Sequence, residues 1–111
     1  MNMSETPYTP ESTTRAELNR QEGATVVQFG TNWCGYCQRA EPLIDAAFEG
    51  HSGVRRIKVE DGSGLPLGRS FQIKLWPTLV FLRDGKETAR VVRPTTSDEI
   101  ARALGEITAP A

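Results

Sequence analysis

Only two of the 111 residues are cysteine and only one is histidine. A structural zinc site takes four ligands, most often Cys or His. Cys34, Cys37 and His51 supply only three of these, which weighs against a zinc site within the chain. His51 lies in the turn-like stretch Glu49-Gly50-His51-Ser52-Gly53 and reads as a solvated surface residue. A framework of several disulfides is excluded by the same count. Charge of one sign is also missing, since 13 Lys and Arg against 14 Asp and Glu leave a formal net charge of −1. Nothing in that balance draws the chain to nucleic acid or to an anionic membrane surface. Apolar runs such as Leu79-Val80-Phe81-Leu82 fall far short of the ~20 residues that a spanning helix needs. The first twenty residues lack a basic stretch, an apolar core and a small-residue cleavage site, which argues for a cytoplasmic location. No Gly-x-Gly-x-x-Gly follows a strand, so no organic cofactor is expected.

What is present suits one globular domain. Hydrophobic residues make up 38% and charged residues 24% of the chain, ordinary values for a globular protein. A chain this long buries roughly two thirds of its unfolded surface and needs no staple to fold. Residues 1–12 are rich in Thr, Ser, Pro and Glu without apolar periodicity and read as a flexible arm, leaving 13–111 as the domain. A short helix capped by Thr13 or Thr14 and stopped by Gly23 comes next. Ala24 to Gly30 is a compact β-branched run, the mark of a buried strand.

From Cys34 the period changes. Ala40, Leu43, Ile44, Ala47 and Phe48 recur at helical spacing, with Pro42 inside the run, where a kink is expected. Val54, Ile57 and Val59 alternate as in a strand, and a short helix is expected near Leu67 to Phe71. Two further strands flank Asp84-Gly85, a hairpin signal. Thr96 and Glu99 then have capping-box spacing at the head of a last helix. This order predicts an α/β fold with a central mixed sheet, its early strand–helix–strand unit parallel and its hairpin antiparallel.

The pattern sets Cys34 at the mouth of a helix that leaves a buried strand. Free N–H groups and the helix dipole favour negative charge there, so the thiolate is stabilised. Cys37 lies one turn deeper. In a reducing compartment a lone Cys-x-x-Cys pair reads as catalytic or metal-binding rather than as a staple. A metal or iron–sulfur cluster bridged between two chains and a pair of inert buried thiols are the competing readings. Gly35, the helix start and the preceding Trp33 weigh against inert thiols.

Trp33-Cys34-Gly35-Tyr36-Cys37, following a strand that ends in Phe29-Gly30, resembles the thioredoxin signature. Pro42 stands where thioredoxins carry a kinking proline, and Trp76-Pro77-Thr78 through Gly85-Lys86 resembles a second family segment. The resemblance covers about residues 14–107. It implies a thioredoxin-like fold with a four-stranded mixed sheet flanked by helices, and a cis bond before Pro77. It further implies a thiol–disulfide oxidoreductase that acts on protein disulfides, in the reducing direction. Cys34 would be the exposed nucleophile, Cys37 the resolving thiol, and the redox-active disulfide would serve in place of a cofactor. The electron donor would be a reductant such as thioredoxin reductase or glutathione, and the protein is expected to act as a monomer.

Departures from the family pattern bear on specificity. Gln28 stands where thioredoxins bury an acid beneath the second cysteine, and it cannot exchange a proton at neutral pH. Tyr36 replaces the usual proline between the cysteines. Trp76 replaces an aliphatic residue, and Arg93-Pro94 replaces a small glycine. Trp33, Gly35, Tyr36, Trp76, Pro77 and Arg93 are thus expected to form a bulky, aromatic and locally cationic substrate groove. At least one of Arg55, Arg56 and Lys58 is expected near the dithiol. The alternative to an enzyme is a binding module that uses the Trp76–Pro77 groove alone, which would need neither cysteine.

Overall fold

The structure is a computed structural model and describes residues 6–10 and 13–108. Its elements are α1 (Arg15–Asn19), β1 (Ala24–Gly30), α2 (Gly35–Phe48), β2 (Arg55–Glu60), α3 (Pro66–Ser70), β3 (Thr78–Arg83), β4 (Lys86–Val92) and α4 (Ser97–Thr108). The strands form one sheet in the order β2-β1-β3-β4. β1 runs parallel to β2 and antiparallel to β3, which pairs antiparallel with β4. The expected mixed four-stranded sheet is therefore present, with β1 and β3 at its centre.

Alternation along β1 and β3 builds a core on each face, since successive side chains point to opposite sides of a strand. Val26, Leu79 and Phe81 meet Ala40 and Ile44 of α2 and Ile100, Leu104 and Ile107 of α4. Val27, Phe29, Val80 and Leu82 meet Leu18 of α1 and Leu67 and Phe71 near α3. Fully burying each large apolar side chain contributes about 1.5–3 kcal/mol. Gln28 shares the Val26 face, so the sheet aims this polar residue at α2.

Local signals account for the ends of the elements. The Thr14 hydroxyl accepts the Glu17 N–H and caps α1, which stops at Asn19, short of the Gly23 expected to end it. Glu99 accepts the Thr96 N–H at 3.1 Å while its own N–H donates to the Thr96 hydroxyl, the expected capping box. Asp84 and Gly85 both take positive φ in the β3–β4 turn, as a two-residue hairpin loop requires. α2 continues through Pro42 as one element of 14 residues.

The N-terminal arm needs correction. Tyr8 is 4% exposed, and its N–H donates to the Asn32 side chain at 2.8 Å. Asn32 Nδ2 donates back to the Tyr8 carbonyl, and the Glu60 N–H donates to the Thr9 carbonyl beside a parallel bridge from Thr9 to Val59. Residues 8 and 9 thus dock on the edge of β2 rather than forming a loose arm. These contacts depend on a partner far along the chain, which local composition does not reveal. Residues 1–5, 11 and 12 of the expected arm lie outside the described residues.

Candidate active site

β1 delivers Cys34 to the head of α2 through a short turn. Cys34 is the N-cap residue, and its Sγ accepts the Cys37 N–H at 3.4 Å. A sulfur in that position takes a helix-end donor that otherwise lacks a partner. Neither cysteine is in a disulfide. Burial opposes charge on Cys34, but the Cys37 N–H and thiol, the Tyr36 N–H and the Arg93 guanidinium outweigh it. The Cys34 pKa is accordingly lowered. Burial acts oppositely on Cys37 and prevails: despite the Thr31 N–H, its pKa is pushed up to about 11, and the adjoining Cys34 adds to the rise. The pair therefore holds one sulfur prone to thiolate and one kept as thiol.

Cys34 is less open than expected, at 7% exposed against 1% for Cys37. Tyr8 packs with both sulfurs, and Trp76 lies against the same cluster. Close approach is possible because Gly30 has no side chain. A Cβ there would come within 2.6 Å of Cys37 Sγ and 2.9 Å of Tyr8 Cζ.

The expected groove residues converge around the dithiol. Trp33 is 75% exposed and meets Trp76 edge-on, with ring centres 5.8 Å apart. The Trp76 indole N–H donates to Asp61 at 2.9 Å, and the Trp76–Pro77 bond is cis. Tyr36, half exposed, lies between two guanidinium groups, Arg93 at 3.8 Å and Arg39 at 4.8 Å from its ring centre. Arg93 also donates from its backbone N–H to the Pro77 carbonyl and from Nε to the Trp76 carbonyl, each at 2.9 Å. Gly35 opens α2 between the cysteine and the aromatic residue. A cleft of about 480 Å³ runs from Tyr36 and Arg39 to Arg93 and Pro94.

The chain matches the Thioredoxin family model over residues 6–106. The chain belongs to the thioredoxin family. Its structure superposes with a TM-score of 0.83 on thioredoxin 2 from Pseudomonas aeruginosa PAO1 in its reduced form. The two are 52% identical, with 94% of this chain and 96% of that one covered. Thioredoxin H2 of Arabidopsis thaliana is 27% identical over 93 residues, which are 84% of this chain and 69% of that protein. Protein disulfide-isomerase A3 of Gallus gallus is 32% identical over 95 residues, 85% of this chain but only 19% of that longer protein. As a thioredoxin family member the chain is a thiol–disulfide oxidoreductase, and the adjoining Cys34 and Cys37 fit a redox-active pair.

Beneath the dithiol this thioredoxin family member carries a polar cluster only partly foreseen. Gln28 is fully buried and donates from Nε2 to the Tyr8 hydroxyl at 2.6 Å and to Glu41 at 2.7 Å. Its Oε1 accepts from Arg56 Nε at 3.0 Å. Glu41 pairs with Lys58 at 3.0 Å and Arg56 at 3.1 Å, and Arg56 reaches Asp45 at 2.7 Å. Of the three basic residues on β2, Lys58 lies nearest the dithiol, sharing a small cavity with Cys37. Tyr8, Glu41 and Asp61 were not expected at the site. A glutamine in the middle of a buried strand was the one available signal, because buried polar groups need partners.

Among the described residues no group of three or more His, Cys, Asp or Glu side chains is arranged to hold a metal ion. His51 lies beyond the far end of α2 from the cysteines. No described helix is long and apolar enough to cross a membrane.

Proposed function

We propose that this chain reduces disulfides in protein substrates, with Cys34 as nucleophile and Cys37 as resolving thiol. The observation that carries the reading is the division of labour between the sulfurs: Cys34 Sγ caps the start of α2 and accepts the Cys37 N–H, which favours its thiolate, while Cys37 is buried beneath it, which favours its thiol. The Cys34 thiolate attacks one sulfur of a substrate disulfide, forming a mixed disulfide and releasing the other as thiolate. Cys37 then loses its proton and attacks Cys34 Sγ. The Cys34–Cys37 bond forms, the mixed disulfide breaks, and the second substrate sulfur leaves as thiolate and takes a proton. Two electrons pass to the substrate, stored on the two sulfurs without an organic cofactor or metal.

The exposed Trp33 and Tyr36, with Trp76, Pro77 and Arg93, form the docking groove for an extended segment around the target disulfide. Gly35 leaves the helix mouth open to that segment. Thioredoxin reductase or glutathione regenerates the dithiol, in the cytoplasm, on a monomeric protein. Replacing Cys37 with Ser tests the assignment by removing the resolving thiol. Incubation with protein disulfide substrates should then accumulate covalent complexes through Cys34 that dithiothreitol releases. No complex, with Cys34 still alkylatable, would overturn the mechanism. Partner binding that survives replacement of both cysteines by Ser would favour a binding module instead.

A further inference from the structure

Resolution requires a thiolate on Cys37, the sulfur that burial disfavours as an anion. Its neighbourhood is built from three elements and the N-terminal segment. α2 contributes Cys34 and Glu41, β2 contributes Lys58, and the N-terminal segment contributes Tyr8. Gln28 of β1 and the nearby Thr31 add polarity without charge. Farther along the cluster, Arg56 and Asp45 close the ion-pair network on Glu41.

The hydrogen-bond pattern fixes the direction of each donor. Both Gln28 amide protons are used, one on the Tyr8 hydroxyl and one on Glu41. Rotating the amide would set its oxygen against the Glu41 carboxylate and turn its donors toward Arg56 Nε, so the orientation is locked. The Tyr8 oxygen thus receives a proton from Gln28 and points its own elsewhere. The group in reach is the Cys37 sulfur, which packs with Tyr8 and meets its ring where Gly30 lacks a side chain. Lys58 Nζ lies 4.7 Å from the centre of the Tyr8 ring, and Gly30 leaves the space in which ring and sulfur meet.

We propose that Tyr8 is a catalytic residue of the resolving step, its hydroxyl oriented by Gln28 to donate to the Cys37 sulfur and stabilise the thiolate that attacks Cys34. Tyr8 does not act as the base: burial first, then the neighbouring Cys37, raises its own pKa far above the usual phenol value. The Cys37 proton passes to water in the cavity of about 90 Å³ bordered by the polar side chains of Asn32, Gln38, Glu41 and Lys58, which is large enough to hold one. The Cys34–Cys37 bond forms as the bond from Cys34 to the substrate sulfur breaks. The electron pair leaves with the substrate sulfur, which takes a proton from solvent. A neutral donor in a low-dielectric site does this work without itself changing protonation. The inference rests on the disulfide-reductase reading above.

Tyr8→Phe removes the hydroxyl and keeps the ring. Breakdown of a preformed mixed disulfide between Cys34 and a peptide thiol should slow by about ten- to a hundred-fold at neutral pH, the size of a hydrogen bond to a charged group. Its pH profile should move upward. In a Cys34→Ser background, Tyr8→Phe should raise the Cys37 titration midpoint by about one pH unit or more. Gln28→Met, which leaves Tyr8 in place but releases its hydroxyl, should move both readouts the same way by less. An unchanged Cys37 titration in Tyr8→Phe overturns the proposal whatever the substrate does. If the protein with Tyr8 intact forms no mixed disulfide, the reductase reading fails, and the titration still decides the Tyr8–Cys37 bond.

Discussion

Arg93 places its guanidinium 3.8 Å from the centre of the Tyr36 ring while its Nε holds the Trp76 carbonyl. One side chain thereby links the residue between the two cysteines to the loop that faces them. It also supplies positive charge that acts on Cys34, whose pKa it helps to lower. The arginine achieves this from a left-handed backbone, with φ +48°.

Arg93→Gly suits that backbone and removes the charge together with the hold on Tyr36 and Trp76. Alkylation of Cys34 by iodoacetamide near neutral pH should slow by about two- to five-fold, the effect of a partly exposed charge interaction of roughly 0.5–1 kcal/mol. An unchanged rate would leave the Cys37 thiol and the N–H groups of the helix N-terminus as the sources of thiolate stabilisation.

Cys37 makes the stability of the reduced protein depend on alkaline pH. Its thiol is raised from 9.0 to about 11 by burial, so between those values the unfolded chain releases a proton that the folded protein keeps. The contribution is complete below pH 9.0 and is lost as pH rises toward about 11. Urea denaturation of the reduced protein should show an extra loss of roughly 1–3 kcal/mol across that window relative to Cys37→Ser. Parallel curves for the two proteins would show that Cys37 titrates alike in both states.

Much of this fold was legible because period and punctuation agreed. β1 matched its compact apolar run, α4 its capping box, and the β3–β4 hairpin its Asp84-Gly85 turn. Cys34 and Cys37 were legible too, since helix start and spacing carry the chemistry locally. Tyr8 was not. It lies in a stretch of Thr and Pro with no periodicity, and its burial depends on Gly30 and Asn32, more than twenty residues away. Glu41 looked like any charge on a solvated helix face, and the inward aim of Gln28, Arg56 and Lys58 makes it a part-buried partner. Non-local polar contacts leave little trace in local pattern, apart from the buried glutamine that demands them.

Gly30→Ala tests how tightly Tyr8 and Cys37 are packed. The new methyl group would overlap Cys37 Sγ and the Tyr8 ring, and overpacking of this kind costs about 1–3 kcal/mol. Thermal unfolding should drop accordingly, and Cys37 should become more accessible to thiol reagents. Unaltered stability would mean that the N-terminal segment yields freely.

Trp76→Ile addresses specificity. It removes the edge-on contact with Trp33 and the hydrogen bond to Asp61, opening the groove on that side. Reduction of a generic disulfide protein should rise by a few-fold relative to a small disulfide such as oxidised dithiothreitol. Identical relative rates would contradict a gating role for this tryptophan.

Whether Cys34 and Cys37 form a reducing couple is decided by their reduction potential. The protein would be equilibrated in dithiothreitol and glutathione buffers, with thiol trapping to count reduced chains. One two-electron transition is expected at about −270 mV, the thioredoxin level, because burial of Cys37 denies the dithiol the double thiolate stabilisation that would make it oxidising. A midpoint at about −180 mV or higher, the range of isomerases and oxidases, would contradict the assignment of net reduction.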